Sequence, residues 1–373
     1  MLNRWVTAQS ARLTNQGHER LISHQSHSMA SNSNSQERYS RQILFSGIGT
    51  DGQAKLLNSR AVIIGCGALG SSQAEALARA GVGKLRIVDR DFVESSNLQR
   101  QTMFTENDAA ERLPKAVAAA NHIADINSDI EVEPEIADVN HSNIERLIDA
   151  ADVVLDGTDN FATRYLINDA CIKNDVNWIY GAAVGSYGVT MTVRPHETSC
   201  LRCIFPEAPP AASAPTCDTA GVIMPIISIV ASVQVSEALK LLTGDLHSLH
   251  GSLMQFDVWR NEWRKISLGA PLSDCATCAL GKFETLDADA RDSAAVMCGR
   301  NAVQISPSES VHIDLAALRE KLEPAGEVKA NDYLLRFRTG EYELTVFQDA
   351  RSIIRGTDDI ATARSLYSKY IGN

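Results

Sequence analysis

Residues 60–81 read RAVIIGCGALGSSQAEALARAG. A short β-branched run leads directly into glycines spaced Gly-x-Gly-x-x-Gly, and a helical pattern follows that stops at Gly81. Few folds accept this order. A strand that turns at once into a helix through glycines is the first half of a βαβ unit, which forces its strands to run parallel. The alternation continues with KLRIVDRD as a strand, PKAVAAANHIADI as a helix, and DIEVEPEI and ADVVLDGTDN as strands. A helix then runs from about Phe161 to Lys173, and VNWIYGAA is the next strand. YGVTMTVRP, LMQFDVWR and EWRKISL read as further, antiparallel strands, and IISIVASVQVSEALKLLTG as a long buried helix. The expectation is an α/β protein: a Rossmann-like, doubly wound mixed sheet with an antiparallel extension, plus a small C-terminal α+β domain.

Four regions follow. Residues 1–36 are poor in apolar side chains and read as a disordered tail, within which Met29 is an alternative start. Residues 37–280 carry the α/β pattern. Residues 281–296 are polar and acidic and read as a linker. Residues 297–373 read as strand, helix, three strands and helix, with a hairpin turn at RTGEYE.

Composition narrows the partners. The chain has 373 residues, 44% hydrophobic and 22% charged, with a formal net charge of −11. A broad basic surface for nucleic acid is not expected. The most apolar run, Val222 to Val235, is broken by Pro225 and polar residues and is too short for a membrane span. Eight cysteines in a chain of this length do not make a disulfide scaffold, and two Cys-x-x-Cys pairs read as reduced, intracellular (cytoplasmic) metal ligands.

The glycines of the turn let a phosphate approach the backbone at a helix N-terminus. Asp89, 19 residues past Gly70, can hold ribose hydroxyls. A tight turn without a ligand is the structural alternative. The motif alone favours NAD or FAD, but Asn97, Arg100 and Lys115 follow where a dinucleotide needs room, and these suit a polyphosphate. Taken singly, each could be a solvated surface residue. LDGTDN places Asp159 and Asn160 at a strand's carboxyl end, where an Asp can hold Mg²⁺ or either residue can cap the next helix; Asp156 reads as structural. Cys200, Cys203, Cys275 and Cys278 form two knuckles suited to a closed, structural zinc site, with a redox disulfide as the alternative. Cys217 remains open between nucleophile and bystander.

RYSRQI, GCGALG, DRDFVESSNLQRQ, GTDN, CLRC, TCDTAGV and DCATC occur in one order between Glu37 and Cys278. In these motifs the chain resembles the ThiF/MoeB/HesA adenylyltransferases, bacterial relatives of the ubiquitin-activating enzymes, of the type with a zinc site. The resemblance implies adenylation, by Mg-ATP, of the C-terminal glycine carboxylate of a small ubiquitin-like sulfur carrier ending in Gly-Gly. It places Gly65, Gly67, Ala68 and Gly70 beside the nucleotide, Asp89 on the ribose, and Ser96, Asn97, Arg100 and Lys115 at the phosphates. It puts Mg²⁺ on Asp159 beside Asn160, and zinc on the four knuckle cysteines. Ala68 stands where many members have a further glycine. Arg41 would reach into a homodimer partner's site. Cys217 would lie in a loop over the adenylate, where some members use it for covalent sulfur transfer. A sulfur donor protein is a further implied partner. SNLQRQ and DGQAKL lean toward the molybdopterin branch over the thiamine branch. A non-catalytic nucleotide-binding scaffold, or an NAD- or FAD-dependent oxidoreductase on the same fold, is the competing reading. The last ~75 residues are too short for a rhodanese; Cys298 could accept sulfur, and the expectation for this domain is carrier docking or dimerisation.

Overall fold

The computed structural model describes residues 37–208, 217–287, 293–297, 301–307 and 311–372. The tail before residue 37 and Cys298 lie outside the described residues.

Eight strands form the main sheet, in the order β3-β2-β1-β4-β5-β6-β7-β8. They are β1 (Arg60–Ile64), β2 (Lys84–Asp89), β3 (Glu131–Ile136), β4 (Val153–Asp156), β5 (Asn177–Val184), β6 (Tyr187–Val193), β7 (Ser252–Asp257) and β8 (Glu262–Ser267). The first five run parallel and the last three antiparallel, so the sheet is mixed as expected. In register, Ile63 faces Ile87 on one side and Leu155 on the other. Pro134 lies in β3, which is tolerated because β3 is an edge strand and needs no N–H donor on its open side.

β1 is buried on both faces. Ala61 and Ile63 join a core with the helices Ala68–Ala80, Lys115–Ile126 and Met224–Thr243, whereas Val62 and Ile64 join a core with Ile144–Ile148 and Phe161–Lys173. A strand covered by helices on both sides has no polar face to display, which explains its continuous apolar run. Met224–Thr243 is long and apolar enough to cross a membrane by composition. Its buried Ile226, Val230 and Ala231 pack instead against Leu69 and Phe256.

The second domain is a six-stranded antiparallel sheet, β11-β12-β13-β14-β10-β9. Its strands are β9 (Ser293–Met297), β10 (Ala302–Ser306), β11 (Glu327–Ala330), β12 (Leu334–Thr339), β13 (Tyr342–Phe347) and β14 (Ser352–Arg355). Two of these differ from the sequence reading. Residues 293–297, four of which fall in the stretch 281–296 read as a linker, pair with β10, and β14 completes the sheet between β13 and β10. Polar surroundings hid the first, and shortness hid the second. One face of the sheet (Phe337, Leu344, Val346, Ile354) is covered by the helices Leu315–Leu322 and Ile360–Tyr370. The opposite face (Leu334, Phe347, Ile353) packs on Phe92 of the first domain.

Candidate active site

The strand order reverses between β1 and β4: β2 and β3 lie on one side of β1, and β4 and β5 on the other. In open α/β sheets this switch point, at the strands' carboxyl ends, is where ligands bind. The glycine turn after β1 meets the turn after β4 there. Gly65 has φ of +88°, and a Cβ on Gly70 would lie 1.8 Å from the Gly65 carbonyl oxygen. No other residue fits at Gly70, so the helix Ala68–Ala80 starts inside the fingerprint with its N–H groups facing the switch point.

Asp89 ends β2 beside this turn. Its carboxylate accepts the Cys66 N–H at 2.6 Å and the Asp91 N–H at 2.7 Å. Burial pushes its pKa up, and the nearby Lys115 ammonium opposes that shift. Lys115 is itself buried, with Nζ 3.5 Å from Asp91 Oδ2. Its N–H donates to the Asp91 carbonyl at 2.9 Å. Asn97 is buried, and its Oδ1 accepts the Glu94 N–H at 3.2 Å. Ser96 is exposed within the 3₁₀ turn Ser95–Asn97, and its carbonyl accepts Nη1 of the half-buried Arg100 at 3.0 Å. The structure thus brings Gly65, Gly67, Ala68, Gly70, Asp89, Asn97 and Lys115 around one end of the sheet.

On the other side of the switch point, Asp156 is fully buried and pairs with Arg164 at 3.3 Å. It also accepts the Thr158 N–H at 2.8 Å and the Thr158 hydroxyl at 2.7 Å. Its role is structural. Asn160 caps the helix Phe161–Lys173, accepting the Thr163 N–H at 2.9 Å. Asp159 is left exposed between them. A solvent-facing carboxylate at this place can serve a cation that shares its shell with phosphate oxygens. Arg41 is exposed in the helix Ser40–Ile43, where the neighbouring Gln42 donates to the Ala80 carbonyl at the C-terminal end of the helix Ala68–Ala80, the end opposite the glycine turn.

Cys200, Cys203, Cys275 and Cys278 place their sulfurs within 4.8 Å of one another. Adjacent pairs are 3.4, 3.6 and 3.9 Å apart. Tetrahedral zinc with bonds of about 2.3 Å requires sulfurs about 3.8 Å apart, so the donor set fits. Sequence reasoning missed what anchors this cluster. Asp169, fully buried in the helix that Asn160 caps, pairs with Arg202 at 3.4 Å. It also accepts the Thr277 hydroxyl at 2.9 Å and the Thr285 hydroxyl at 2.7 Å. The signal was available: Asp169 sits inside the apolar run YLINDACI. Also missed was a buried amide pair. Gln73 donates to Gln234 at 2.6 Å, and Gln234 donates to the Asp156 carbonyl at 3.0 Å.

Cys217 begins the short helix Cys217–Ala220. Past it, the Gly221 carbonyl accepts the Gly185 N–H at 2.8 Å, tying the segment to the end of β5.

Residues 39–277 match the model of the ThiF family. The chain belongs to the ThiF family. It is 48% identical, over 337 residues, to a protein of Bacillus subtilis named sulfur carrier protein ThiS adenylyltransferase, covering 90% of this chain and 99% of that one. The Escherichia coli protein of the same name is 40% identical over 242 residues, 65% of this chain and 94% of its own. A Haloferax volcanii protein named SAMP-activating enzyme E1 is 38% identical over 261 residues, 70% of this chain and 95% of that one. Among solved structures, Escherichia coli MccB with MccA-N7isoASN superposes with a TM-score of 0.58 at 21% identity, over 65% of this chain and 74% of that one. That likeness speaks for the fold alone.

Proposed function

We propose that this ThiF-family enzyme is an adenylyltransferase that activates the C-terminal carboxylate of a ubiquitin-like sulfur carrier. The observation that carries this reading is the convergence, at one switch point, of the glycine turn, Asp89, Asn97, Lys115 and the exposed Asp159. The carrier carboxylate, already ionised at neutral pH, attacks the α-phosphorus of ATP. The bond to the bridging oxygen breaks, and pyrophosphate leaves with its electron pair. No general base is required. Rate comes from positioning and from opposing charge: Lys115 and Arg100 lie toward the polyphosphate and Asp89 holds the ribose. Asp159 would hold Mg²⁺, which neutralises phosphate charge when bound. The four cysteines would hold zinc in a closed, structural site.

Both relatives named ThiS adenylyltransferase favour a thiamine-type carrier over the molybdopterin type. A homodimer is part of the reading. Arg41 lies beside Leu44 and Phe45, which are 74% and 64% exposed, an apolar pair suited to a second copy. Cys217, and a sulfur donor protein, would act after adenylation.

The decisive experiment is ATP–pyrophosphate exchange with a purified carrier ending in Gly-Gly. Exchange that depends on the carrier, and is lost when its last glycine is removed, is the expected result. Hydride transfer with a nicotinamide cofactor and no exchange would sink this reading.

A further inference from the structure

The second domain is not tethered at a distance. Its free sheet face rests on the five residues that follow the ribose acid. Arg351, fully buried, donates from Nη2 to the Arg90 carbonyl at 2.6 Å, with its guanidinium 3.8 Å from the Phe347 ring centroid. Arg355 forms an ion pair with Glu94. Gln304 donates to Asp138 at 2.6 Å, and Asp138 in turn pairs with Arg90 at 3.1 Å. Phe92 fills the apolar space between them, against Phe347 and Ile353.

The gripped segment, residues 90–94, is also the hub of the candidate site. Asp91 donates its N–H to Asp89 at 2.7 Å and accepts the Lys115 N–H at 2.9 Å. Val93 donates to the Leu113 carbonyl at 2.9 Å. Glu94 donates its N–H to Asn97 and caps the 3₁₀ turn that carries Asn97. Asp89, Asn97 and Lys115 therefore take their positions from one short irregular stretch. Irregular segments cost conformational entropy to hold, and a site that is already ordered binds its ligand more tightly.

We propose that Arg351 and Arg355 are positioning residues for ATP, and that the second domain clamps residues 90–94 so that Asp89, Asn97 and Lys115 are pre-set for the nucleotide. This role is separate from the carrier docking or dimerisation expected from the sequence, and it rests on the adenylation reading. The Escherichia coli relative matches over 242 residues, 94% of its own length, about the length of residues 37–280 of this chain. The clamp is therefore an addition that tightens nucleotide binding, not a requirement of the chemistry.

The test is calorimetric titration of the full chain with α,β-methylene-ATP and Mg²⁺. Arg355 is the variant of choice because its side chain is 31% exposed, so its loss leaves the domain folded. Arg355→Ala should raise the dissociation constant about tenfold, equal to about 1.4 kcal/mol. Arg355→Lys should restore part of that, and Arg355→Ala combined with Glu94→Gln should be no weaker than Arg355→Ala alone, as expected for coupled partners. Unchanged affinity in a folded Arg355→Ala protein, with the wild type binding normally, overturns the clamp. So does retained affinity in an Arg351→Ala protein whose second domain has melted. A wild type that binds no nucleotide overturns the adenylation reading itself, and the clamp with it.

Discussion

The Asp89 carboxylate accepts the main-chain N–H of Cys66 across 2.6 Å, which fastens the end of β2 to the middle of the glycine turn. The second oxygen takes the Asp91 N–H. Both donors need an acceptor, and an amide offers only one. Asp89→Asn should therefore leave one buried N–H facing an NH₂ group, at a cost of about 1–3 kcal/mol in stability. It should weaken nucleotide binding more than tenfold. Chemical denaturation and nucleotide titration measure the two effects separately. A variant as stable as the wild type would show that the turn does not depend on this carboxylate.

Asp169 ties the cysteine cluster to the helix that Asn160 caps at the switch point. Asp169→Ala would take one of two acidic partners from the half-buried Arg202, which keeps Glu284 at 3.4 Å, and would leave the buried Thr277 hydroxyl without its acceptor, at a cost of about 1–3 kcal/mol. We expect one zinc per chain by elemental analysis, lost together with thermal stability in Cys278→Ser. Asp169→Ala should weaken zinc retention against a chelator without removing any ligand. Full zinc retention at wild-type rates would separate the two features.

The contrast between Asp156 and Asp169 shows what the sequence could carry. Strand, turn and helix order along residues 60–184 follows from short-range pattern, and the glycine spacing marks the turn. The knuckle cysteines announce themselves by spacing too. What joins Asp169 to Thr277 and Thr285, or Gln73 to Gln234, is contact across 80 or more residues of chain, and no local pattern reports it. The seat of the second domain on Phe92 was hidden for the same reason. Strand β9 was hidden by its polar neighbours, because its pairing with β10 outweighs composition.

Glu343 gives the seam between the domains a pH dependence. Burial alone would raise its pKa, but Arg112, Arg336 and a hydrogen bond from Arg338 outweigh it and hold the carboxyl below the usual range. A depressed carboxylate stabilises the fold fully above its unfolded pKa, and that contribution is lost as pH falls through the folded value. The Glu343–Arg112 contact, 3.2 Å across the seam, should hold from pH 8 to about pH 5 and weaken below about pH 4.3. Calorimetric melting should show wild type above Glu343→Gln at neutral pH, with the difference vanishing in acid. A difference that grew in acid would reverse the sign.

The roles proposed for Asp159 and Cys217 belong to two steps that can be tested apart. Asp159 is exposed and holds no part of the core, so Asp159→Ala should fold normally. Losing an electrostatic partner of the transferring phosphate typically costs a factor of about 10² to 10³ in rate. Carrier-dependent pyrophosphate exchange should fall accordingly, while melting temperature stays put; intact exchange would remove Mg²⁺ from Asp159. Cys217→Ala, by contrast, should leave exchange untouched, because a carboxylate attacking phosphorus needs no thiol. Its effect belongs to the next step, where a thiolate could attack the acyl-adenylate and release AMP. Mass spectrometry of the carrier after reaction with a sulfur donor reads that step directly. We expect adenylate without thiocarboxylate in Cys217→Ala. Normal thiocarboxylate formation in that variant would leave the cysteine a bystander and send the sulfur donor to the adenylate itself.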